Sequence, residues 1–216
     1  MGIRSAARLP RDFYNADTLS VARNMLGSLL VRNHQGRRLS GIVVETEAYL
    51  AADDPASHSH RGPNRKNAAM FMPAGTLYVY SIHAKYCLNI VTEAESVGAA
   101  VLVRALEPWE GIDQMRLHRG KDAPRDLCSG PARLCQALAI DIANDKKDMS
   151  NSDEVWLEKP PPAVQERKWN ITTTSRIGIS SARELQYRYF IDGHHCVSGL
   201  ARLHSQKREW SFGSPR

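Results

Sequence analysis

Asp17 precedes apolar residues at Leu19, Ala22, Met25 and Leu26, whose three- and four-residue spacing predicts an amphipathic helix capped by that carboxylate. A short apolar run over 28–32, a turn at His34-Gln35-Gly36 and a second run from Ile42 to Tyr49 predict a β-hairpin. Residues 76–82, 87–92 and the strongly apolar 99–106 read as three further strands, the last carrying a single charge, Arg104. A helix is expected over 109–119, and another from Gly130-Pro131 through Leu134, Ala137 and Leu138, proline suiting the first turn. Two last strands are expected at 176–179 and 187–191. Residues 51–69 form a long polar loop, of a length that inside a compact domain is usually functional. The charged stretch 144–168, with Pro160-Pro161-Pro162, reads as a surface excursion. The sum is α+β, with strands joined mostly as hairpins.

One segment carries chemistry. In Val43-Val44-Glu45-Thr46-Glu47-Ala48-Tyr49, alternation puts Glu45, Glu47 and Tyr49 on one face and Val44, Thr46 and Ala48 on the other. Carboxylates on a half-buried strand must be paired, hydrogen-bonded or solvated in a cleft, because an isolated buried charge is very costly. The plain alternative is a Glu paired with an Arg at a sheet edge. Arg104, inside its own apolar run, likewise requires an anionic partner.

Composition sets the bounds. With 216 residues, 42% hydrophobic and 24% charged, the chain suits one globular domain with a proper core. No apolar run is long enough to span a membrane, and the Arg-containing start lacks the apolar centre of a signal peptide. Residues 1–17 are expected to be a flexible basic arm, 18–203 the domain, and 204–216 a polar basic tail. A net charge of +6 suits a polyanionic partner such as nucleic acid. Cys87, Cys128, Cys135 and Cys196 are scattered, without a Cys-x-x-Cys pair, which favours a reducing intracellular compartment over a disulfide framework.

Several motifs occur together and in order. They are Glu45-Thr46-Glu47-Ala48-Tyr49-Leu50, His58-Ser59, Met70-Phe71-Met72-Pro73, Gly75-Thr76-Leu77-Tyr78-Val79-Tyr80 and Leu88-Asn89-Ile90. Further on come Val103-Arg104-Ala105-Leu106-Glu107-Pro108 and Leu127-Cys128-Ser129-Gly130-Pro131-Ala132-Arg133-Leu134. This ordered set, spread over about 18–199, resembles the mammalian-type alkyladenine (3-methyladenine) DNA glycosylase family. The resemblance implies a single α+β domain with a curved, mainly antiparallel β-sheet flanked by helices, and no metal or organic cofactor. The implied partner is double-stranded DNA containing damaged purines, met by a monomer in a DNA-associated setting such as the bacterial nucleoid or eukaryotic nucleus. The implied reaction is hydrolysis of the N-glycosidic bond after the base is flipped from the stack.

The face pattern cannot choose between Glu45 and Glu47 as general base; the resemblance selects Glu47 and leaves Glu45 a structural role. It also implies that Tyr49, His58, Tyr80 and Asn89 surround the flipped base, Asn89 clashing with the 2-amino group of guanine. Arg104 matches an arginine close to the flipped nucleotide. Gly130, Pro131 and Arg133, at a predicted helix start, and Arg65 and Lys66, in the long loop, are expected to meet DNA phosphates.

This chain also departs from the pattern. The family wedge, commonly Tyr-Gly-Met, is replaced by Ile82-His83-Ala84-Lys85, one residue shorter; His83 is favoured as the wedge over Ile82. A metal site at Asp53, Asp54, His58 and His60 is disfavoured, since the loop offers no rigid scaffold. A non-catalytic DNA-lesion-binding module is the competing reading.

Overall fold

The computed structural model describes residues 8–199. Helices α1 (Arg11–Tyr14) and α2 (Thr18–Asn24) precede strands β1 (Leu29–His34) and β2 (Arg37–Tyr49). After the long loop come β3 (Leu77–Ile82), β4 (Lys85–Thr92) and β5 (Ala99–Glu110), then α3 (Ile112–Arg119), α4 (Pro124–Cys128) and α5 (Pro131–Ala137). Strand β6 (Val155–Glu158), helix α6 (Pro162–Gln165) and strands β7 (Ile171–Thr174) and β8 (Arg188–Ile191) follow. The strands form one 8-stranded antiparallel sheet in the order β3-β4-β5-β2-β1-β6, with β8 and then β7 alongside the end of β2. The class is α+β, in a single domain with a curved antiparallel sheet.

Strand β2 organises the molecule. One edge pairs with β5 along most of its length; the other pairs first with β1 over Arg37–Ile42 and then with β8 over Glu45–Glu47. Register breaks mark the point where it changes partner. Val43 lies opposite Leu106 and Glu45 opposite Ala105, so Val44 is the extra residue on β2; Thr46 then lies opposite Val103, so Arg104 is the extra residue on β5. Such bulges re-aim side chains. Upstream, Val43 packs into the main core with Leu30 and Leu106, while Ile42 and Val44 join a second cluster with Val31 and Ala105. Downstream, Ala48 packs into the main core and Thr46 donates to the Ala22 carbonyl of α2. The bulges therefore turn Glu45, Glu47 and Arg104 away from the helix-packed core. This corrects the simple alternation: Val44 does not share the face of Thr46 and Ala48.

Other expectations change too. The helix expected from Trp109 begins only at Ile112, because β5 runs on to Glu110 and Gly111 breaks the chain at φ 71°, where a Cβ would meet Leu39 Cδ2 at 2.4 Å. The excursion 144–168 contains β6, a buried four-residue strand that pairs with β1. The strand expected at 176–179 lies earlier, as β7; Gly178 turns at φ 79° and the Ile177 N–H is bonded to a side chain rather than to a neighbouring strand. The arm expected over 1–17 is packed from Leu9 onward, with Tyr14 fully buried. Asp17 caps α2 as expected, its carboxylate accepting the Ser20 N–H at 2.8 Å, and Pro131 opens α5. The tail 204–216 lies outside the described residues.

Candidate active site

Glu47 has no solvent exposure, yet three of its neighbours line a cleft on the surface. Its Oε1 accepts the Ile177 backbone N–H at 2.7 Å; Oε2 accepts the Tyr49 hydroxyl at 2.9 Å and Arg104 Nη1 at 3.1 Å. An ionised carboxylate offers about four acceptor sites, so one on Oε1 stays open. Burial works against the Arg104 charge, but Glu47 and then Glu45 beside it raise its pKa further. Burial, then the nearby Glu47 charge, push the Tyr49 phenol well up, so it stays a donor.

Glu45 faces the same way but is spoken for. Its Oε1 accepts from Arg188 Nε at 2.6 Å and Arg104 Nε at 3.1 Å, and its Oε2 from the Ser198 N–H at 2.7 Å. Arg104 thus bridges both carboxylates through different nitrogens. Arg188 is one residue that sequence reasoning missed; an arginine between Tyr187 and the apolar Tyr189-Phe190-Ile191 gives the same signal as Arg104.

The cleft encloses about 370 Å³, within the range typical of small-ligand sites. Tyr49, His58, Tyr80, Asn89, Arg104 and Pro131 all line it. Tyr78, not singled out beforehand, completes one wall: its ring stacks on Tyr80 at 5.3 Å, and its hydroxyl meets His58 Nδ1 at 2.8 Å. The His58 ring stands edge-on to Tyr80 at 4.7 Å. Partial burial lowers the His58 pKa and favours neutral imidazole. Asn89 Nδ2 donates to the Tyr78 carbonyl at 3.1 Å, which fixes its amide. The opposite rim, Ile177–Ser181, was also missed; its lining role follows from the bond to Glu47 and has no local sequence signature.

The loop carrying His58 is tied down internally. Asn67 donates to the His58 and Gly62 carbonyls at 2.8 and 3.0 Å, and Asn64 Oδ1 accepts the Lys66 N–H at 2.8 Å. Arg65 and Lys66 consequently project into solvent from a closed turn, away from the cleft lining. Gly130 (φ 133°) precedes Pro131 at the cleft wall, while Arg133 is half-exposed and 3.5 Å from Asp126. His83 and Ala84 form the β3–β4 turn at φ 48° and 59°; His83 is exposed, and the adjoining Ile82 lines the cleft. Three of the four groups weighed as loop metal ligands are engaged elsewhere: Asp54 with Arg176, His58 with Tyr78, and His60 Nδ1 with the Ala52 carbonyl at 2.5 Å, while Asp53 is exposed. All four cysteines are free and buried. Among the described residues, no helix is long and apolar enough to cross a membrane.

The site has close counterparts elsewhere. A protein from Rhodopirellula baltica is 46% identical over 96% of this chain and 90% of its own length. The proteins named DNA-3-methyladenine glycosylase from Mus musculus and Homo sapiens are 42% and 40% identical, over 92–93% of this chain and 64% and 70% of their own. The family model described as Methylpurine-DNA glycosylase (MPG) matches residues 12–195, a span containing Glu47, the cleft walls, Arg104 and Arg188. By this match and by those identities, the chain belongs to the methylpurine-DNA glycosylase family.

Proposed function

We propose that this protein is a monofunctional DNA glycosylase, acting as a monomer, that flips alkylated or deaminated purines out of duplex DNA. It hydrolyses their N-glycosidic bond with a water activated by Glu47. The observation that carries this reading is the Glu47 carboxylate, held by three donors behind an aromatic cleft with one acceptor site left on Oε1. Cleavage of a glycosidic bond develops positive charge on the sugar. A fixed carboxylate beside that carbon both stabilises the charge and takes the proton of the attacking water. Arg104 and Tyr49 hold the Glu47 carboxylate in place; no metal or organic cofactor enters such a step.

Tyr49, Tyr80 and His58 supply flat surfaces and an edge for the extruded purine. Asn89, its amide held by the Tyr78 carbonyl, discriminates against the 2-amino group of guanine by steric clash. Arg65, Lys66, Gly130, Pro131 and Arg133 meet the DNA backbone, and His83 at the hairpin tip, with Ile82 beside it, fills the space the base leaves. Among the described residues no lysine lines the cleft, which favours hydrolysis over Schiff-base lyase chemistry.

A non-catalytic lesion-binding module is the second reading. The complete burial of Glu47 favours it, since Tyr49, Arg104 and Ile177 line the cleft and the carboxylate itself does not. Single-turnover cleavage of duplexes containing hypoxanthine, ethenoadenine, 3-methyladenine or 7-methylguanine, with EDTA present, separates the two. Alkali-labile sites made by the unmodified protein and not by Glu47→Gln are the result expected. Lesion binding without cleavage of any of the four identifies the binding module.

A further inference from the structure

Among the described residues, one cluster gathers three metal-ligating side chains. His194, His195 and Cys196 follow β8, and their donor atoms all lie within 4.8 Å of one another. His194 is oriented from behind: its Nε2 lies 3.3 Å from the Glu107 carboxylate of β5, and its Nδ1 accepts the Cys196 backbone N–H at 3.2 Å. Glu107 is itself held by Arg167 at 2.7 Å. A carboxylate on one ring nitrogen fixes the tautomer and presents the other nitrogen as a lone pair, the arrangement common to metal-bound histidines. The His195 ring stacks nearly parallel on His194 at 4.8 Å and is exposed, whereas Cys196 is fully buried. The three donors therefore run from solvent into the interior.

We propose that His194, His195 and Cys196 bind a thiophilic divalent cation, Zn²⁺ being the best match, at a site separate from the glycosidic-bond chemistry. Two imidazoles and a thiolate are the ligand set of this borderline-soft ion, with water in the fourth position. Metal–ligand bonds of about 2.0–2.3 Å bring donors closer together than 4.8 Å. Rotation of the exposed His195 closes that gap, and His194 Nδ1 exchanges its contact with the Cys196 N–H for the metal. Binding forms a metal–sulfur bond and breaks the S–H bond of Cys196, its proton leaving to solvent. The site also adjoins the support of Glu47. Two residues on, the Ser198 N–H donates to Glu45 at 2.7 Å and its hydroxyl accepts from Arg104 at 3.3 Å. A bound ion would pin this turn against the buried carboxylates.

The test is spectroscopic and does not depend on glycosylase activity. The full chain, stripped with chelator, is titrated with Co²⁺ as a coloured stand-in for Zn²⁺. One equivalent should produce a sulfur-to-cobalt charge-transfer band with tetrahedral d–d absorption, reversed by Zn²⁺. The band should vanish in Cys196→Ser, persist in Cys87→Ser, and need at least tenfold more Co²⁺ in His195→Ala. That exposed substitution keeps the test decisive if Cys196→Ser does not fold. Zn²⁺ should also slow amide exchange at Val197 and Ser198. No charge-transfer band, or one unchanged by His195→Ala, overturns the proposal.

Discussion

Arg176 and Asp54 form an ion pair closed to solvent on both sides, Nη1 meeting Oδ2 at 2.5 Å and Nη2 meeting Oδ1 at 2.7 Å across 122 residues of sequence. The pair joins the two rims of the cleft. Asp54 also accepts the Leu50 and Ala56 N–H groups, each at 3.1 Å, at the start of the loop that carries His58. Arg176 donates to the Ala48 carbonyl, lies 4.6 Å over the Tyr49 ring, and immediately precedes the Ile177 N–H that holds Glu47. Breaking a buried pair from one side leaves the other charge stranded, which costs about 3–5 kcal/mol. Asp54→Ala should lower stability by that order in urea denaturation. Arg176→Lys, which keeps the charge but loses the two-pronged geometry, should fold and lower the cleavage rate more than lesion affinity. An Asp54→Ala protein as stable as the parent would remove this role.

The two neighbouring carboxylates should separate by the kind of damage their loss causes. Glu47→Gln keeps the shape of the site and removes the proposed base; a loss of about 10²–10⁴-fold in single-turnover cleavage is expected, with lesion binding retained. Glu45→Ala instead removes the buried carboxylate that Arg188 and Arg104 share and should show mainly as a fall in melting temperature. Cleavage that survives Glu47→Gln and fails in a folded Glu45→Gln protein would reverse the assignment.

This pair of glutamates also shows how far the sequence could be read. Two-residue alternation correctly put Glu45, Glu47 and Tyr49 on one face, because the bulge lies upstream of them and leaves their own periodicity intact. The bulges at Val44 and Arg104 had no local signature; they arise where β2 exchanges β1 for β8 as its neighbour, a tertiary event. β6 was hidden for a related reason. Val155-Trp156-Leu157-Glu158 is too short between charged and proline-rich flanks to register, and becomes a strand by pairing with β1. Resemblance located His58, Asn89 and Arg104 in the cleft lining. Arg176, Asp54 and the Ile177 N–H depend on contacts between distant segments, and no short motif announces those.

His58 should make stability pH-dependent in a defined direction. Its pKa is lowered on folding, so the unfolded chain binds the proton more readily than the native protein does. Stability is then complete above the unfolded value of about 6.5 and declines as pH falls below it, towards the lower folded-state pKa. His58→Gln should flatten that part of the stability–pH curve, measured by urea denaturation between pH 5 and 8 on buffers of about equal ionic strength. A parent protein that grew more stable on acidification through this range would contradict the direction.

Backbone contacts from the closed turn at Arg65 and Lys66 should appear in salt dependence rather than in lesion preference. Each phosphate neutralised contributes about −0.9 to the slope of log affinity against log salt. Arg65→Ala and Lys66→Ala should each reduce the slope by roughly one unit while the ranking of lesions stays the same. Unchanged slopes would place this turn away from the DNA.

The β3–β4 turn tests the wedge most directly, because its sequence is poorly suited to its shape. His83 and Ala84 both hold positive φ, at 48° and 59°, where Asn-Gly is the favoured pair for a two-residue hairpin. Non-glycine residues held there are strained by about 1–3 kcal/mol each. Replacing both, His83→Asn with Ala84→Gly, should therefore raise the melting temperature while removing the imidazole from the tip. If His83 fills the vacated stack, the more stable protein should flip the base less well, seen as a smaller fluorescence change on binding an ethenoadenine duplex and as slower cleavage. Ile82→Ala is the necessary companion, since Ile82 is 47% exposed and already lines the cleft. A hairpin double variant that flips normally beside an Ile82→Ala variant that does not would assign the wedge to Ile82, leaving the strained turn as the device that presents it.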